Sequence, residues 1–106
     1  MIKVTVIPRK ENNLYGGLVK KELELRRRNQ GTLHRALGKK AGEERWRHER
    51  YKGWINLQKC LGGVVVAVVR SKAADQEWQL LSSFVGFLDR HFRDHISSIN
   101  LTYGED

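Results

Sequence analysis

Polar and apolar residues alternate from the first positions of the chain: Ile2, Val4 and Val6 share one side, Lys3 and Thr5 the other, and Pro8 limits further extension. A period of two places alternate side chains on one face of a pleated strand, so residues 1–7 are predicted to open the fold as a strand. Asn12, Asn13, Gly16 and Gly17 then form a turn-rich connection around Tyr15. Two periods compete from Leu18 to Arg28. Val19, Lys21, Leu23 and Leu25 alternate with Lys20, Glu22, Glu24 and Arg26 as a strand would, yet Lys, Glu, Leu and Arg are also good helix formers. The strand is favoured because Asn29-Gln30-Gly31 has the form of a three-residue hairpin loop leading into Thr32 to Leu37. Gly38 to Gly42 reads as an exposed loop, and Glu44 to Cys60 as one long strand bent or bulged at Gly53.

Leu61-Gly62-Gly63 turns the chain into Val64 to Val69, six apolar residues without alternation, the pattern of a central strand covered on both faces. From Ala73 to Ile96 the period changes. Trp78, Leu81, Val85, Leu88, Phe92 and Ile96 recur at spacings of three and four, with Leu80, Phe84 and Phe87 as a second stripe and Asp75 in the first turn. This is a long amphipathic helix expected to face the sheet through the Trp78 stripe. Ile99, Leu101 and Tyr103 against Ser98, Asn100 and Thr102 give a last strand, and a strand-helix-strand connection should return parallel to the strand it left. The expected architecture is α+β: a mixed, mostly antiparallel sheet with one long amphipathic helix on one face and a C-terminal β-α-β unit.

Composition fits one domain over residues 1–106, since 40% apolar residues, 30% charged residues and a single proline suit a folded chain of this length. Cys60 has no second cysteine with which to form an intrachain disulfide. The apolar stretch Val4 to Ile7 is too short for a secretory segment, and Cys60 to Val69 is too short to span a bilayer, so a cytoplasmic protein with no membrane partner is expected. The formal charge of +8 is unevenly placed: residues 1–60 hold 16 Lys and Arg against 6 Asp and Glu, whereas residues 61–106 hold 4 against 6. An excess of this kind attracts phosphate backbones, anionic surfaces or acidic proteins.

Within the basic half, Arg45-Trp46-Arg47-His48-Glu49-Arg50-Tyr51-Lys52-Gly53-Trp54 interleaves cations with rings. On one strand this would place Trp46, His48, Arg50, Lys52 and Trp54 along a single face, able to stack bases and neutralise phosphates together. The competing reading is that Trp46 and Trp54 are core residues with arginine and lysine stems packed over them. Arg26, Arg27 and Arg28 would form a second charge cluster at a hairpin tip, usable for phosphate contact or simply solvated. The expected interface therefore comprises Arg26, Arg27, Arg28, Arg45, Trp46, Arg47, Arg50, Tyr51, Lys52 and Trp54.

Other chemistry is weakly signalled. Gly38 to Gly42 lacks the P-loop pattern, and the chain lacks the aromatic motif of an RRM and the Gly-x-x-Gly loop of a KH domain. His91 and His95 stand four apart on the helix, but the adjacent Asp94 points about 100° away from His95 and no further ligand cluster is evident, and no Ser-His-Asp or Cys-centred constellation emerges. No metal, cofactor or catalytic residue is expected, and an enzyme is the less favoured class. The leading expectation is a small basic module binding RNA or single-stranded DNA. The alternatives are a structural or regulatory homodimer joined through the helix or the sheet, and a small-ligand-binding α+β domain.

Overall fold

In the computed structural model, which describes residues 1–10, 13–40 and 42–104, the chain runs β1 (Ile2–Pro8), α1 (Leu14–Arg27), β2 (Leu33–Lys40), β3 (Glu43–His48), β4 (Trp54–Lys59), β5 (Val65–Arg70), α2 (Ala74–Phe92) and β6 (Ile96–Tyr103). Short 3-10 turns at Leu61–Gly63 and Arg93–His95 precede β5 and β6. The strands form one sheet in the order β2-β3-β4-β5-β1-β6, and every neighbouring pair among the described residues is antiparallel. The fold is α+β as expected. The return after α2 is also parallel in direction to β5, but β1 lies between β5 and β6, so the C-terminal β-α-β unit is split by the first strand.

Leu18 to Arg28, predicted as a strand, is instead the body of α1. Helical spacing brings Leu14, Leu18 and Glu22 to the buried side, and Glu22 to Arg26 and Lys21 to Glu24 become ion pairs across one turn. The strand alternative would have mixed Lys21 with Val19, Leu23 and Leu25 on its apolar side. Asn13 caps the start, its side-chain oxygen accepting the Gly16 N–H at 3.0 Å. The supposed hairpin loop is the helix's C-terminal cap. Asn29 takes φ 54°, its N–H donates to the Arg26 carbonyl at 3.1 Å, and the Gln30 N–H reaches back to the Leu25 carbonyl at 2.8 Å. These are the two bonds of a Schellman motif, with asparagine where glycine is commoner.

Two further expectations are corrected. Glu44 to Cys60 is two neighbouring strands, β3 and β4, because the chain reverses over residues 49–53 and sets Trp46 opposite Ile55. The stretch read as a loop at Gly38 to Gly42 is divided: backbone through Lys40 continues β2 and pairs with β3 across a register shift between Gly38 and Lys40, and Ala41 lies outside the described residues.

Both helices lie on the same side of the sheet. Rows of Ile2, Val69, Ile55 and Trp46, and of Val4, Ala67 and Leu57, meet Leu14, Leu18, Leu80, Leu81, Phe84, Phe87 and Leu88 in one buried cluster. Both stripes of α2 dock: Leu80, Phe84 and Phe87 are buried together with Leu81 and Leu88 of the stripe that begins at Trp78, Val85 and Phe92 of that stripe pack against the cluster, and only Trp78 itself departs from the expectation, being 53% exposed. The valine strand is covered on one side only: Val65, Ala67 and Val69 are buried, while Val66 and Val68 are half-buried on the face that carries no helix among the described residues. No helix is long and apolar enough to cross a membrane.

Candidate nucleic-acid interface

The ring-and-cation run folds into the end of β3, a five-residue turn and the start of β4. Alternation along β3 sends Trp46 to the helix side, where it is fully buried, edge-on to Phe84 and Phe87 at centroid distances of 6.3 and 5.3 Å. Its indole N–H is satisfied by the Glu44 carboxylate at 3.0 Å. Trp46 is consequently a core residue, and its placement among base-stacking candidates is corrected: the large ring gains more from the packed layer between sheet and helix than from an exposed position.

Trp54 and Arg45 go to the opposite, helix-free face. The Arg45 guanidinium sits 4.8 Å from the Trp54 ring centroid and donates to the Asn56 side chain at 3.0 Å, so one face of the ring is already covered by a cation. The Trp54 ring is half-buried, and its indole N–H is enclosed without an acceptor among the described residues. Arg47, Arg50 and Lys52 are exposed, and with Tyr51 and Trp54 they line one shallow concavity of about 410 Å³.

The turn that presents these side chains is held from several directions. The Glu49 N–H donates to the Thr32 carbonyl at 3.0 Å, and the Lys52 N–H donates to the Gln76 side chain of α2 at 2.7 Å. His48 accepts the Arg50 N–H through Nδ1 at 3.0 Å, and its ring lies 4.5 Å from that of Tyr51. Burial holds the His48 imidazole below the usual histidine range, assisted by Arg50 and opposed by Glu49, which favours the neutral form that this bond requires. Gly53 has φ +115°, and a Cβ there would collide with the Arg70 carbonyl, so only glycine lets the turn enter β4 this close to β5.

The three arginines of α1 arrive at the same end of the sheet. The helix ends at Arg27, the cap leads to Thr32, and Leu33 pairs with His48 beside the β3-β4 turn. Arg26 is committed: its guanidinium donates twice to the buried Glu22 carboxylate, at 3.1 and 3.3 Å, and His34 Nδ1 lies 3.2 Å from the same group. Arg27 and Arg28 are exposed. Arg70 and Lys72, which the sequence reading did not single out, join this end because β5 pairs Arg70 with Trp54. Their signal was non-local, since only strand pairing connects residue 70 with residue 54.

Elsewhere, His91 packs edge-on to Phe87 at 4.9 Å and His95 stands 6.4 Å from Phe92; among the described residues no three potential ligands gather to hold a metal. A groove of about 300 Å³ runs between α2 and the loop after α1, lined by Ser82, Ser83, Gly86, Arg90 and His91 on one side and Leu25 on the other. No protein-family model, curated protein or solved structure matches this chain.

Proposed function

We propose that this protein is a small basic module that binds RNA or single-stranded DNA, acting in the cytoplasm, through the end of the sheet formed by the β3-β4 turn and the C-terminus of α1. The observation that carries this reading is convergence: two cationic clusters separated by some twenty residues in sequence, Arg27-Arg28 and Arg47-Arg50-Lys52, are brought to one end by the pairing of Leu33 with His48. The adjoining face of the sheet is free of helices among the described residues, and across it run Arg45, Asn56, Val68, Lys3 and Thr102 in one lateral row. A backbone tracked by cations over a polar sheet surface suits an extended strand with unpaired bases better than a groove of a duplex.

The chemistry is phosphate neutralisation first. With Trp46 in the core and one side of Trp54 under Arg45, the rings left for contact are Tyr51 and the rim of Trp54, so base stacking contributes less than the sequence alone suggested. Binding through about four to six phosphates gives a slope of about −3 to −4 when log K is plotted against log salt for a single strand. Fluorescence anisotropy with a labelled oligonucleotide at several salt concentrations measures it. Removing two contacts in Arg47→Ala with Arg50→Ala flattens the slope by about 1.4, whereas Lys59→Ala, at the far end of β4, leaves it unchanged. No binding by the folded protein at low salt, or equal flattening by both variants, would sink the localised reading.

A further inference from the structure

We propose that β6 pairs antiparallel with β6 of a second copy of this chain, joining two six-stranded sheets into one. β6 is the terminal strand of the sheet and, among the described residues, pairs with β1 alone. The Gly104 N–H donates to the Met1 carbonyl at 2.9 Å, which sets the phase of the ladder: Gly104, Thr102, Asn100 and Ser98 turn their amides toward β1, and Tyr103, Leu101 and Ile99 turn theirs outward. An open row of this kind is a template for another strand. Proteins that keep such an edge to themselves place charges, prolines or bulges on it, yet Ile96–Tyr103 holds neither a charged residue nor a proline, and its register is regular from Ser98 to Tyr103.

The strand is complementary to its own reverse. About a twofold axis perpendicular to the sheet at Asn100, Ile99 lies opposite Leu101 of the second copy on the helix side, and Ser98 lies opposite Thr102 on the other side. Apolar residues then meet apolar ones and hydroxyls meet hydroxyls. Ile99 and Leu101, whose amides face outward, exchange backbone hydrogen bonds in both directions across the axis. Exposed apolar surface gathers in the same region: of the four large hydrophobic residues exposed among those described, Leu101 (41%) and Tyr103 (67%) lie on β6. A third, Trp78, lies one residue beyond Glu77, whose carboxylate holds the amino group of Met1, the residue bonded to Gly104. A second copy is the occupant that fits, because an uncharged edge lets two chains of net charge +8 approach without setting cation against cation along the contact.

Analytical ultracentrifugation tests this together with amide hydrogen exchange. The expected wild-type species has twice the mass of the 12.3 kDa chain, and the Ile99, Leu101 and Tyr103 amides exchange as slowly as those of Ser98, Asn100 and Thr102, losing that protection on dilution. Leu101→Lys places a cation on the edge, and Leu101→Pro removes an outward N–H while sparing the bonds to β1. Both are expected to sediment as monomers with unchanged near-ultraviolet circular dichroism. A wild-type monomer at high micromolar concentration overturns the proposal, as does a dimer that persists in the folded Leu101→Lys variant. Should Leu101→Pro unfold, the wild-type exchange pattern still decides: fast exchange at Ile99 and Leu101 in a dimer means that association uses another surface.

Discussion

At one edge of the sheet, β2 is paired to β3 with register shifts between Arg35 and Leu37 and between Gly38 and Lys40, and it carries His34 and Arg35. At the other edge, β6 has no charged residue and one irregularity, where Ile7 and Pro8 meet its beginning. Bulges and cations discourage a strand from recruiting another, so β2 carries both devices while β6 has no charge and is regular from Ser98 onward. Cations stand on the β2 edge, whereas β6 alternates apolar with uncharged polar residues. The difference teaches that a net charge of +8 describes neither edge. Its distribution over the topology gives one flank a field for anions and leaves the other neutral.

The sharpest way to break this comparison is to treat the large apolar residues of the two flanks alike. Trp46→Ala, on β3, should destabilise the protein by about 3–5 kcal/mol, because it empties a fully buried site against Phe84 and Phe87. Leu101→Ala, on the half-open β6, should cost less than about 1 kcal/mol in the monomer. Urea titration of both variants measures the contrast, and a small loss at Trp46 would place its ring outside the core. The next effect separates the three arginines. Arg26→Ala leaves the buried Glu22 carboxylate with His34 as its one partner among the described residues and should cost about 1–3 kcal/mol, whereas Arg27→Ala and Arg28→Ala should stay within about 0.5 kcal/mol of wild type. A similar loss at all three would remove the distinction between structural and ligand-facing cations.

The smallest effect is acid sensitivity. His48 and His91 both have their pKa lowered in the fold, His48 first by burial and then by Arg50, His91 first by burial and then by Lys21 and Arg90. The unfolded chain, with histidine near 6.5, takes up protons before the folded one. Stability therefore falls as pH drops through the range just below 6.5 and levels off once the folded imidazoles are also protonated. Protonating His48 removes the acceptor for the Arg50 N–H, so amide exchange in the β3-β4 turn should accelerate there while β6, which holds no histidine, lags. Uniform acceleration across both flanks would show that the turn is not what acid loosens.

Much of this fold could be read from local periodicity. β1 and β6 follow from alternation, β5 from an unbroken apolar run and α2 from helical spacing, each within a single segment, and the basic character of the first 60 residues follows from counting. Where two periods fitted the same residues, as in Leu18 to Arg28, the capping bonds of Asn13 and Asn29 and the burial of Leu14, Leu18 and Glu22 under the rest of the protein selected the helix. The reversal at residues 49–53 had no proline to announce it, and it rests on bonds to Thr32 and Gln76, residues distant in sequence. That reversal decided which way each ring points: Trp46 went inward and Trp54 outward, although both stand amid the same cations in the chain. The docking of α2 likewise buried both of its stripes and left out only Trp78, at the start of one of them. Periodicity states which residues share a face. Which face is covered depends on contacts between segments remote in sequence, and these exist only once the sheet has assembled.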